Sequence, residues 1–283
     1  MQDYAYYNGV FCPYDSMSLP LSDRSIFFGD AVYDVMIGAR GIPYQIDEHL
    51  DRLMINAARI GLRDIPEKNE LLDIISELIE LSHADEFTVY VQLSGYGERR
   101  SHRRCDGRVN LLVTVTEAAI PSALESVNAV ILPDIRHRLC DVKTTNLLAA
   151  VMSVNHASNN ESDIAIFERD GYVTECSYAN ICLIKNGRLI CHPFNSDILP
   201  GITQKNILSI CGGLGVATEE REIRTCELYD ADAVIISSTT KFIRLCDKIC
   251  GIQLKDENNA LTKQIFNELR RNFWIQIMGD CTF

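Results

Sequence analysis

The sequence predicts an α+β fold in two parts, a small N-terminal α+β domain and a larger, β-rich C-terminal domain. Three observations carry this. Over residues 1–117 the periodicities run strands, two helices, strands, rather than alternating as a βαβ array would. A polar stretch with Pro121, residues 118–125, then interrupts the pattern as a linker. Beyond it, over residues 126–283, short apolar runs punctuated by Asp170-Gly171 and Asn186-Gly187 prevail.

Each element has its own signal. Tyr4 to Tyr14 alternates around Asn8-Gly9, a pair suited to a two-residue hairpin turn. Leu50, Leu53, Ala57 and Ile60 recur at helical spacing behind the acidic start Asp47-Glu48, and Leu71, Ile74, Ile75, Leu78 and Ile79 repeat the pattern. Strand-like runs follow at Phe87–Leu93 and Val109–Val115. In the second part, Val127–Leu132 reads as a strand, Leu147–Ala157 as a helix, and Asp163–His192 as a β-meander. Pro200-Gly201 opens a helix through Ile207, Leu208 and Ile210. Ala233–Ser237 is a strand, and Leu261, Ile265, Leu269 and Phe273 describe a closing helix.

Composition narrows the function classes. With 47% hydrophobic and 23% charged residues, 283 residues can bury a substantial core, so disorder is not expected. The formal net charge of -12 repels phosphate backbones and anionic lipid, which argues against nucleic acid and membrane surfaces as partners. No apolar run approaches the ~20 residues of a membrane span, and the acidic start Met1-Gln2-Asp3 lacks the apolar core of a signal peptide. The 11 cysteines form no Cys-x-x-Cys pair, so packed, reduced thiols in a cytoplasmic protein are expected and a metal site is not.

Four features could carry chemistry. Lys143, flanked by Val142 and Thr144-Thr145, can act as an amine nucleophile if desolvated, or be a solvated loop lysine. Glu175 lies in a strand-like run; buried there, it would need a cationic partner such as a protonated pyridine nitrogen, whereas exposed it would need none. Leu199-Pro200-Gly201-Ile202-Thr203 sets free amides and a hydroxyl at a helix start, and Ser237-Ser238-Thr239-Thr240 sets hydroxyls at a strand end. Both suit a phosphate, and both also suit ordinary caps and turns. The basic run Arg99-Arg100-Ser101-His102-Arg103-Arg104 can trap a carboxylate, or serve as a solvated loop or another subunit's charge partner.

Taken together, six segments in chain order resemble the fold-type IV pyridoxal-phosphate enzymes, the class IV aminotransferases, and within them the D-amino-acid aminotransferases most closely. The segments are Phe28–Val35, Asp47–Leu53, Asp141-Val142-Lys143 with Asn146-Leu147-Leu148, Val173-Thr174-Glu175, Leu199–Thr203, and Ser238-Thr239-Thr240. The resemblance implies that pyridoxal 5'-phosphate lies between the two domains of a homodimer. It implies that Lys143 bonds the cofactor and shuttles a proton at the substrate α-carbon, and that Glu175 keeps the pyridine nitrogen protonated. Arg52, Ile202, Thr203 and Thr240, with Thr239, match the phosphate cradle, and Tyr33, Arg100 and His102 match the holders of the substrate carboxylate. The implied reaction passes an amino group from a D-amino acid such as D-alanine to 2-oxoglutarate. The alternatives on the same fold are a branched-chain L-amino-acid aminotransferase, which is not expected to carry the Arg100–His102 pair, and 4-amino-4-deoxychorismate lyase. Tyr178-Ala179 and Lys241-Phe242-Ile243 depart from the family pattern, where smaller or more polar residues are usual.

Overall fold

Asn8 and Gly9 both take left-handed backbone, with φ of 45° and 93°, and close the tight turn between β1 (Tyr4–Tyr7) and β2 (Val10–Pro13). A computed structural model describes this and the rest of the chain over residues 2–104, 108–255 and 259–279. The chain divides into two compact units: Met1–Ile120, Val142–Asn146 and Ile275–Phe283 form one, and Pro121–Asp141 with Leu147–Trp274 the other.

The first unit adds α1 (Arg24–Phe28), β3 (Ala31–Ala39), β4 (Ile42–Pro43), α2 (Ile46–Arg59), α3 (Lys68–Ser82), β5 (Glu86–Gly95) and β6 (Val109–Glu117). Its six strands form an antiparallel sheet in the order β2-β1-β6-β5-β3-β4. Alternate residues of β5 and β6 face one way in register, Val89 opposite Val115, Val91 opposite Val113 and Leu93 opposite Leu111. They pack against the apolar stripes of α2 (Leu50, Leu53, Ala57) and α3 (Leu71, Ile75, Leu78), all within one buried cluster. These are the helical positions that the spacing predicts. Strand β3 is buried along nearly its whole length, so it lacks the alternation that would reveal it in the sequence.

The second unit holds β7 (Glu125–Pro133), α4 (Leu148–Asn159), β8 (Ile164–Arg169), β9 (Tyr172–Cys176), β10 (Asn180–Lys185), β11 (Arg188–Cys191), α5 (Ile202–Gly213), β12 (Thr218–Glu220), β13 (Ile223–Arg224), α6 (Glu227–Asp230), β14 (Ala233–Ser238), β15 (Phe242–Ile249), β16 (Ile252–Gln253) and α7 (Asn259–Met278), the last continuing into the first unit's Ile275 segment. The sheet order is β12-β11-β10-β14-β15-β7-β8-β9-β13, with β16 beside β15. Residues 163–192 are therefore not one meander. They form two hairpins, β8–β9 and β10–β11, set apart in the sheet by β14, β15 and β7. Period-2 patterning identifies strands but not their partners. Strand β7 has parallel neighbours on both sides, β15 and β8. Cys176, Cys182, Cys191, Cys211 and Cys246 are free and buried. No helix among the described residues is long and apolar enough to cross a membrane.

Candidate active site

Lys143 sits on a short segment clipped to β3. The Tyr33 amide donates to the Lys143 carbonyl at 2.9 Å and the Thr145 amide to the Ala31 carbonyl at 3.2 Å, while Val32 and Thr144 form an antiparallel bridge. Val142 points into the first unit's core, and Asn146 Nδ2 donates to the Gly29 carbonyl at 2.9 Å. So anchored, Lys143 places its Nζ 4.5 Å from the centre of the Tyr33 ring. Among the described residues no carboxylate comes within ion-pair distance of it. The Tyr33 ring in turn stacks on Tyr90 at 5.2 Å.

Directly after Tyr33, Asp34 is wholly buried and receives Arg52 through two bonds of 2.8 Å, Nε to Oδ2 and Nη2 to Oδ1. His49 Nδ1 lies 2.8 Å from the same carboxylate. Burial alone would raise the Asp34 carboxyl, but the hydrogen bonds and charges of Arg52 and His49 outweigh it and hold Asp34 far below the usual range. His49 is pushed down, by burial first, against the pull of Asp34. It is therefore neutral at neutral pH and donates through Nδ1, which leaves Nε2 an acceptor with no partner among the described residues.

The basic run is held from below. Buried Arg24 donates to the carbonyls of Ser101 and of His102, the latter at 3.1 Å, and to Asp30 Oδ2 at 2.7 Å. Arg104 grips the same Asp30 with both arms of its guanidinium. Burial would raise the Asp30 carboxyl, yet Arg104 and Arg24 hold it below its ordinary value. Arg100 and His102 are exposed and flank Phe28, each 5.3 Å from its ring centre. No hydrogen bond or ring contact joins either to Tyr33 among the described residues.

In the second unit Glu175 is buried on β9 and held on both oxygens. Arg136 Nη1 donates to Oε1. Asn180 Nδ2, at 3.0 Å, and the Leu199 amide, at 3.2 Å, donate to Oε2. Arg136 is itself fixed by Asp134 (Nε to Oδ1, 3.0 Å; Nη2 to Oδ2, 2.8 Å), which also takes Arg169 at 3.0 Å and the Thr174 hydroxyl at 2.9 Å. Asn180 also donates to the Leu199 carbonyl at 2.9 Å, which brings the Pro200-Gly201 turn against Glu175. A Cβ on Gly201 would come within 1.9 Å of Asn180 Oδ1, so any other residue there would force one of the two to shift. Helix α5 starts at Ile202 with buried Thr203 next, and no side chain caps it. Asn180 is registered with Ser237, so the end of β14 and the following Thr239-Thr240 lie beside the start of β10. Ser177 Oγ and Ser237 Oγ are buried without a partner among the described residues.

A model of the amino-transferase class IV family matches residues 31–249. The chain belongs to that family. It is 31% identical over 258 residues to the D-alanine aminotransferase of Listeria monocytogenes serotype 1/2a (strain 10403S), covering 89% of each protein. It is 32% identical over 240 residues to that of Bacillus licheniformis, covering 83% of this chain and 84% of the relative. Among solved structures, the branched-chain amino acid aminotransferase from Thermobaculum terrenum in its PLP-bound holo form matches with a TM-score of 0.87 at 19% identity, over 96% of this chain and 94% of that one, a likeness of fold alone.

The residues present fit the cofactor this family uses. Lys143 offers an amine that can capture an aldehyde, and Glu175 a braced carboxylate that can accept from a protonated ring nitrogen. Among the described residues the uncapped start of α5 and the partnerless hydroxyls of Ser177 and Ser237 offer donors to a phosphate. Sequence reasoning gave no role to Asp34, His49, Arg24, Asp134 or Arg136. The available signals were a lone acid in the apolar run Val32-Tyr33-Asp34-Val35 and the i, i+3 pair His49 and Arg52 on one helix face.

Proposed function

We propose that the chain is a pyridoxal-phosphate-dependent D-amino-acid aminotransferase, taking the amino group of a D-amino acid such as D-alanine and passing it to 2-oxoglutarate. The observation that carries this reading is the fixed, unpaired Lys143 amine beside Tyr33. The curated relatives at 31% and 32% identity, both D-alanine aminotransferases, support the substrate class.

When bound, pyridoxal phosphate supplies an aldehyde that captures an amine and a ring that withdraws electrons from the adjacent carbon. Lys143 provides the amine that holds the aldehyde and then moves a proton at the substrate α-carbon through Nζ. Glu175 holds a proton on the ring nitrogen, with Arg136, Asn180 and the Leu199 amide fixing its direction. Ile202 and Thr203 at the start of α5, Thr239, Thr240 and the cation Arg52 would hold the phosphate. Tyr33, Arg100 and His102 would hold the substrate carboxylate. Because Arg100 and His102 are exposed, we assign them to the neighbouring site of a homodimer. The apolar face of α4, with Leu148 72%, Val151 53% and Met152 53% exposed, suits burial against a second copy. The free, buried thiols suit a reducing cytoplasm.

The test is a half-reaction on cofactor-loaded protein. Borohydride reduction followed by peptide mapping should place the pyridoxyl group on Lys143. D-alanine should bleach the cofactor–lysine absorbance and release pyruvate, and 2-oxoglutarate should restore it. Bleaching by L-leucine alone would move the chain to the branched-chain enzymes and remove the roles given to Arg100 and His102.

A further inference from the structure

Behind Glu175, three carboxylates share two guanidiniums among the described residues of the second unit. Arg136 bridges Glu175 and Asp134, and Arg169 bridges Asp134 and Asp197. Asp134 directly follows β7, and its side chain is closed to solvent. It takes most of the Arg136 guanidinium. Nε donates to Oδ1 at 3.0 Å and Nη2 to Oδ2 at 2.8 Å, and the Arg136 main-chain amide adds a bond to Oδ1 at 3.1 Å. Nη1 goes to Glu175. The other bonds of Arg136 run to neutral oxygens, the Thr174 hydroxyl and the Asp197 carbonyl, both at 3.2 Å.

Burial would raise the Asp134 carboxyl, but the hydrogen bonds and charge of Arg136 outweigh it and hold Asp134 below its ordinary value, so it is ionised at neutral pH. With each paired group charged, three carboxylates face two guanidiniums, and one negative charge is left over. An excess charge at such a site is costly unless a partner completes it. The protonated ring nitrogen assigned above to Glu175 is a cation of the required sign.

We propose that Asp134 is a positioning residue for the cofactor: by holding Arg136 to itself, it leaves the negative charge of Glu175 to the ring nitrogen and so keeps that nitrogen protonated. This rests on the aminotransferase reading. Without the Asp134 charge, Arg136 would neutralise Glu175 as a simple ion pair. A carboxylate so matched attracts a second cation weakly.

The experiment measures how tightly the full chain, stripped of cofactor and reloaded, binds pyridoxal phosphate and an analogue in which a C–H replaces the ring nitrogen. The ratio of the two affinities reads the nitrogen and cancels any loss common to both. In Asp134→Asn, which keeps the shape and removes the charge, the preference for pyridoxal phosphate should fall about 3- to 30-fold. Glu175→Gln should itself lower the preference, and adding Asp134→Asn to it should change the ratio by less than about twofold, because the effect passes through Glu175. A ratio within about twofold of the parent's in Asp134→Asn, whatever both affinities lose, overturns the proposal and leaves Asp134 a structural brace. An equal fall in the Glu175→Gln background, or a parent without any preference, overturns it too. Should Asp134→Asn not fold, Arg169→Gln decides. It removes a positive charge from the same carboxylate, so the preference should rise about 2- to 10-fold, and a fall or no change overturns the proposal. A chain that takes up neither compound defeats the aminotransferase reading and the proposal together, whereas uptake of both with an unmoved ratio defeats the proposal alone.

Discussion

At the scale of single residues, Asp34 lies at the centre of a buried triad in which Arg52 and His49 each offer it a donor. Removing the carboxylate leaves a largely buried guanidinium without that partner, so Asp34→Ala should cost about 3–5 kcal/mol, read as a loss of denaturation midpoint. The pH dependence follows from the two depressed groups. Asp34 and His49 both have folded-state pKa values below their unfolded ones. Their contribution is complete above the unfolded values, about 6.5 for histidine and 3.9 for aspartate, and is lost as pH falls through the folded ones. Thermal midpoints should therefore decline on acidification from about pH 6.5, and His49→Asn should flatten the upper part of that decline. From the role proposed for Lys143, Lys143→Ala should lower transamination by about 10²–10⁴-fold or more and abolish borohydride labelling.

At the scale of elements, the turn from Leu199 to Gly201 binds the start of α5 to Glu175 through Asn180. Gly201→Ala would drive a methyl into Asn180 Oδ1, and one of the two must move. Overpacking of this kind costs about 1–3 kcal/mol. Pyridoxal phosphate should be held about 5- to 150-fold less tightly, measured by dialysis and reloading, while far-ultraviolet circular dichroism stays close to the parent's. Elements with one buried face were legible in the sequence: the Asn8-Gly9 hairpin, the stripes of α2 and α3, and the Pro200-Gly201 start of α5. Strands β3 and β15 were not, because both are buried on both faces and each sets a charge, Asp34 or Arg244, among apolar neighbours. Lys143 and Glu175 stood out only as members of ordered motifs. The brace on Glu175 from Arg136, itself held by Asp134, comes from 39 or more residues earlier in the chain and leaves no mark on local spacing.

At the scale of the molecule, each unit closes its own core but does not own a continuous stretch of chain. The lysine segment Val142–Asn146 belongs to the first unit, although β7 of the second precedes it. A fragment ending at Ile120 would lack Val142 and the clip along β3, and should unfold at lower denaturant than the same region in the full protein. Coinciding midpoints would show that the segment adds nothing. The same interleaving imposes an order on synthesis. Glu125 and Arg244 are registered partners on parallel strands, so one edge of β7 stays open on the ribosome until residue 244 has emerged. Pairings so distant in sequence form slowly and leave sticky edges exposed meanwhile. Substitutions that slow closure of β15 onto β7 should thus reduce the yield of soluble enzyme in cells without altering the turnover of the molecules that do mature.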